Sequence, residues 1–174
     1  MPVARSTRPS LLLCGYYGEH NLGDDALLQV LLQGLPSGSS LAITAADSEP
    51  VQALAPTALV INRRSLRATL RAALRTDLLI FGGGSLLQDS TSFKSLVYYL
   101  LLICAARFRG GRVLLWGQGL GPLQRPISRI LVRLALPLCS AISWRDDASL
   151  ALARRWTKAV PMWMAPDPVW QMPQ

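Results

Sequence analysis

Residues able to do chemistry gather first in Thr76–Asp89, TDLLIFGGGSLLQD. Leu78–Phe81 is a strand-length apolar run of the kind that is buried on both faces of a parallel sheet. Gly82, Gly83 and Gly84 follow it directly, so the strand ends where no side chain screens the backbone. Such a segment can adopt positive φ and lets a ligand approach its N–H groups closely. Ser85 is placed to cap a short helical turn, whose free N–H groups attract an anion. Gln88 and Asp89 add a polar pair just beyond. A glycine turn needed only for tight packing leaves the same pattern, and this stretch alone does not separate the two readings.

Elements of regular spacing must position these residues. Leu11–Cys14, Leu41–Ala45, Ala58–Ile61, Leu78–Phe81, Arg112–Trp116 and Ala141–Trp144 read as strands, with Met162–Met164 as a short candidate for one more. Between them, helices are expected at about Asp25–Gly34, Glu49–Ala55, Ser65–Leu74, Thr91–Arg109, Ile127–Leu138 and Asp147–Trp156. Regular alternation of strand and helix predicts an α/β fold: a Rossmann-like parallel sheet of about six strands, order 3-2-1-4-5-6, with helices on both faces. The loops rich in glycine and acids all follow strands: Gly15–Asp25, Gly82–Asp89, Gly117–Pro122 and Arg145–Asp147. Open α/β sheets bind ligands at that carboxyl edge, so the loops are expected to form one site.

Several chemistries are excluded. No G-x-G-x-x-G follows the first strand, no G-K-[ST] occurs, and there is no G-x-S-x-G elbow. His20 is the only histidine and the cysteines lack ligand spacing, so no metal site is expected. A surface role suits His20 best. Gln118 stands between two glycines, where a ligand can reach its side chain, while Gly119 and Gly121 suit turn geometry.

The 174 residues suffice for one α/β domain, or one lobe of a larger enzyme. Cys14, Cys104 and Cys139 are scattered in apolar settings and read as reduced core residues of a cytosolic protein. Leu96–Ala106 is too short to span a bilayer, and no signal-peptide core precedes the first strand. Net charge is +8, from sixteen arginines and two lysines against ten acids. Arg63, Arg67, Arg71 and Arg75 recur every four residues in a stretch without acids, and Arg125, Arg129 and Arg133 repeat the pattern. Such ladders place like charges on one helix face. A solvated face explains them, as does an anionic partner. Nucleic-acid or lipid binding through the first ladder calls for aromatic side chains between the arginines, and residues 62–75 contain none.

Four loops together resemble the polysaccharide pyruvyl transferase family, its CsaB-like members in particular. The segments are GYYGEHNLGDDALL (15–28), FGGGSLLQD (81–89), WGQGLGPL (116–123) and SWRDDASLALARR (143–155), with APDPVW (165–170) trailing. The resemblance implies an enzyme that moves the pyruvyl unit of phosphoenolpyruvate onto two hydroxyls of a sugar, leaving a cyclic ketal. It implies phosphoenolpyruvate as donor substrate with no further cofactor, a sugar or lipid-linked saccharide as acceptor, and at most peripheral contact with a membrane. It also implies a glycosyltransferase-B-like enzyme, of which residues 1–174 correspond to the N-terminal lobe. The C-terminal lobe would lie outside this chain, which alone would then turn over phosphoenolpyruvate weakly or not at all.

On this reading Arg145 grips the donor carboxylate or phosphate, because guanidinium matches either in bidentate fashion. The alternative is an ion pair with Asp146 or Asp147 that shapes the loop. Asp24 would serve as base, and Asn21 would bind sugar hydroxyls. The Gly82–Gly84 amides would hold a phosphate or sugar oxygen. Gln88, Asp89, Gln118, Ser143 and Asp146 complete the expected substrate contacts. Asp25 suits a structural place at a helix start, and Trp116, Trp144 and Trp170 suit core packing better than stacking on a sugar. A lobe that binds a nucleotide-sugar without catalysis would explain the glycine loops equally, but gives no reason for Arg-Asp-Asp after the sixth strand.

Overall fold

Alternation within the strands decides how the layers form. In β1 (Ser10–Cys14), Leu12 and Cys14 belong to one hydrophobic cluster and Leu13 to another. In β4 (Leu78–Gly82), Leu79 and Phe81 join the first and Ile80 the second. Successive strand side chains point to opposite faces, so the sheet is covered on both. The computed structural model describes residues 8–36 and 38–166. Seven strands, all parallel, run in the order β3-β2-β1-β4-β5-β6-β7. The others are β2 (Ser40–Ala45), β3 (Leu59–Asn62), β5 (Arg112–Gln118), β6 (Ala141–Trp144) and β7 (Met162–Met164).

On one face, α1 (Leu22–Gln33) and α2 (Ser48–Leu54) supply Leu28, Leu31 and Val51 to the smaller cluster. On the other lie α3 (Leu66–Ala73), α4 (Phe93–Phe108), α5 (Pro126–Ala135) and α6 (Asp147–Trp156). They supply Ala73, Leu96, Leu102, Val132 and Leu150 to the larger cluster. Each fully buried leucine contributes about 1.5–3 kcal/mol, and Leu96 and Leu102 of α4 are wholly inaccessible. Strand order reverses between β1 and β4, whose carboxyl ends therefore flank a crevice.

The expected order holds, and β7 extends it by a seventh strand. That strand is three residues long, with Trp163 and Met164 exposed, so its sequence carries little period. α1 begins at Leu22 rather than Asp25, because the Asn21 side chain accepts the Gly23 N–H and caps the helix three residues early. Ser85 starts no helical turn. No helix is assigned there; Leu87 bridges to Leu120, and the next helix begins only after the Ser92 cap. The first arginine ladder is not one helical face: Arg63 precedes α3, and only Arg67 and Arg71 lie within it. Cys14 and Cys139 are buried as expected, but Cys104 is exposed on the outer side of α4. APDPVW from residue 167 on, with Trp170, lies outside the described residues.

Candidate active site

A cleft of about 590 Å³ opens at the carboxyl edge of the sheet, at the switch between β1 and β4. The loop after β1 and the first turns of α1 bring Tyr16, Asn21 and Asp24 to it. Gly84, Ser85 and Gln88 come from the loop after β4, Ser95 and Tyr99 from α4, and Arg145 from the end of β6. Four separate segments thus meet at one place.

Arg145 is oriented from two sides. Its backbone N–H donates to the Gln118 carbonyl at 3.0 Å, and its Nη2 donates to the Ser85 hydroxyl at 2.8 Å. Gly119 lies against this pair. A Cβ there would stand 2.6 Å from Ser85 Oγ and 3.1 Å from Arg145 Nε, so only glycine admits the observed approach. Across the cleft, Asp24 is half-buried. Burial, then the neighbouring Asp25, raises its carboxyl above the usual 3.8, and the Arg63 and Arg145 guanidinium groups oppose that shift.

Glycine freedom matters at Gly83 and Gly84, whose φ values are 76° and 75°. These angles turn the chain from β4 into the cleft rim. The Gly83 N–H donates to the Trp116 carbonyl at 2.8 Å and is thereby occupied. Gly82 is buried beneath the rim, its carbonyl accepting the Tyr17 hydroxyl. Of the three glycines, Gly84 alone lines the cleft.

The remaining expected site residues support the cleft from below or beside it. Gln118 is wholly buried and its Nε2 donates to the Gly83 carbonyl, tying β5 to the rim. Ser143 is buried within β6. Asp146 caps α6, accepting the Ser149 N–H at 2.7 Å and its hydroxyl at 2.8 Å, while Ser149 Oγ accepts the Leu120 N–H. Asp89 reaches the start of α5, accepting from Ser128 Oγ at 2.6 Å, Gln124 N at 2.6 Å and Arg125 N at 3.0 Å. The Ser128 hydrogen bond, helped by the two backbone donors, holds its carboxyl below the usual range. Gln88 lines the cleft while its Oε1 accepts from the Ser90 and Thr91 backbone N–H groups. His20 is exposed, 3.9 Å from Asp47. Trp144 is buried and Trp116 packs against the smaller cluster.

Arg63 is the supporting residue that a ladder reading hides. Its side chain is 9% exposed, pairs with Glu19 at 3.2 Å, donates to Tyr99 Oη at 3.1 Å, and stacks 4.3 Å from the Tyr16 ring. It thereby locks two cleft-lining tyrosines in place. Burial raises the Tyr99 phenol, whose oxygen accepts from Arg63. The signal available in sequence was position: Arg63 is the first cation after the end of β3, on the same edge as the other loops.

Fold and cleft together define a Rossmann-like α/β domain whose carboxyl-edge site pairs a fixed guanidinium and a hydroxyl with a half-buried carboxylate. The chain belongs to the polysaccharide pyruvyl transferase family, which it matches over residues 21–174. No curated protein matches it in sequence. Among solved structures, it is similar to BdcA (YjgI) from E. coli, at 15% identity and a TM-score of 0.49, covering 90% of this chain and 96% of that one. It is also similar to the Citrobacter sp. triphenylmethane reductase complexed with NADP(H), at 12% identity and a TM-score of 0.44, covering 89% and 48%.

Proposed function

We propose that this polysaccharide pyruvyl transferase uses phosphoenolpyruvate as donor and forms a cyclic ketal on a sugar of a cell-surface polysaccharide. In that reaction two sugar hydroxyls bond to the donor's C2 and the C2–O bond to phosphate breaks. One hydroxyl proton ends on the methylene carbon, making it a methyl group, and the other leaves with phosphate. The donor is doubly anionic in kind, carrying carboxylate and phosphate, and Arg145 with Ser85 grips one of these groups. Asp24 accepts a hydroxyl proton. Its raised carboxyl is a better base than an exposed aspartate. Asn21 and Gln88 contact sugar oxygens at the rim. Gln118, Asp89 and Asp146 act as positioning residues through the loops they hold.

The observation that carries the reading is Arg145 and Ser85 facing Asp24 across one cleft at the sheet's switch point. The group that protonates the methylene carbon belongs, on this proposal, to a second lobe facing the cleft. The reaction runs in the cytoplasm, where phosphoenolpyruvate is made. Phosphoenolpyruvate should raise the melting temperature of the chain, and Arg145→Ala should abolish that shift. With a pyruvylatable saccharide and the complete enzyme, phosphate release should match the appearance of a ketal methyl signal by NMR. Stabilisation by nucleotide-sugars and none by phosphoenolpyruvate would replace this reading with that of a glycosyltransferase-like donor lobe.

A further inference from the structure

α4 and α5 pack side by side on one face of the sheet, and their outward sides are apolar where solvent is expected. Phe108 is 83% exposed, Leu134 66%, Ile130 54%, Ile127 47% and Leu101 41%. On α5, Ile127, Ile130 and Leu134 follow the spacing of a single helix face. That face is distinct from the one packed on the core, which presents Ser128, Val132 and Ala135. Between the helices runs a groove of about 320 Å³ walled by Val97, Leu101, Cys104, Leu131 and Leu134 among others. An apolar surface of this continuity on a globular domain marks a contact site.

Neither helix carries an acid. The sequence has no Asp or Glu from Ser90 to Trp144, a span that carries Lys94, Arg107, Arg109, Arg112, Arg125, Arg129 and Arg133. Among the described residues, Lys94, Arg129 and Arg133 enter no ion pair. A second copy of the chain on this face would bring two such cationic spans together and be repelled. Nucleic acid would use the arginines and leave the aliphatic side chains between them uncovered. An anionic bilayer uses both, taking apolar side chains at the headgroup boundary and cations at its phosphates.

We infer that the α4–α5 face docks on an anionic membrane surface. Ser95 and Tyr99 on another side of α4 line the cleft, so docking holds the cleft mouth beside the bilayer. The inference is independent of which reaction the cleft performs. It is tested by co-sedimentation of the chain with vesicles of phosphatidylcholine alone and of phosphatidylcholine mixed with phosphatidylglycerol. Binding to the mixed vesicles only, lost at high salt, is the expected result. Near an anionic surface each arginine contributes about a fivefold preference, so Arg129→Gln with Arg133→Gln should weaken partition roughly 25-fold. Ile130→Glu with Leu134→Glu should abolish it, and circular dichroism should show both pairs folded, since all four side chains are exposed. The inference is overturned by absent binding, by equal binding to neutral vesicles, or by binding that both variants retain. A dimer in solution that Ile130→Glu with Leu134→Glu dissociates would assign the face to a second copy and overturn it as well.

Discussion

Arg145 and Asp24 enter the cleft from distant strands, and the roles assigned to them make opposed predictions about stability. Lysine at 145 keeps the charge but loses the planar pair of donors, so Arg145→Lys should lose activity on the order of 100-fold, nearly as much as Arg145→Ala. Both should melt close to the parent. A tolerated lysine, or a large fall in melting temperature for both, would make the arginine a loop-shaping residue instead. Asp24 behaves differently. Its folded carboxyl holds a proton more tightly than the unfolded chain does, so ionising it costs stability as pH rises through the folded value. Asp24→Asn should therefore melt higher than the parent at neutral pH, with the gap closing below about pH 4. Activity should fall together with that gain, and melting curves beside rates across pH check the pair.

Among the elements, the loop after β4 is fastened to the start of α5 by Asp89, a residue that sequence marks only as one more polar group near glycines. Its folded carboxyl lies below 3.8, so its contribution to stability is present above that value and is lost as pH falls through the depressed one. Asp89→Asn presents an amide donor to three donors. It should lower the melting temperature at neutral pH, and the difference should shrink in acid. The strands and their order were legible because runs such as Leu78–Phe81 are buried on both faces and need no partner information. The loops were legible as a common edge, since each follows a strand. Their internal division of labour was not, because it depends on contacts across long separations. Asp89 meets donors 35 to 39 residues away, Gln118 reaches back 35 residues to Gly83, and Arg63 finds Tyr99 36 residues on. Nothing local in the sequence separates an acid that faces a cleft from one that caps a helix.

At the scale of the whole molecule, the two hydrophobic clusters share one sheet, so neither face has a fold of its own to keep. Leu28→Ala on one side and Leu102→Ala on the other should each cost about 2–5 kcal/mol. Both residues are fully buried and each belongs to a different cluster. Tryptophan fluorescence and far-ultraviolet circular dichroism should report the same midpoint in either variant, because loss of one cluster unpairs strands that carry the other. Separate transitions would show that the helical layers melt independently.

The fit of Gly119 against Ser85 and Arg145 has a consequence for how related sequences vary. The backbone of Gly119 does not need glycine, since its φ lies outside the left-handed region, and only the two facing side chains exclude a methyl group. The three positions should therefore covary. A family member with alanine at the first should lack the serine hydroxyl or the arginine, and one that keeps both should keep glycine. In this chain, Gly119→Ala should displace the guanidinium and depress activity, and Ser85→Gly should restore part of the lost melting temperature when combined with it, although neither change alone is favourable.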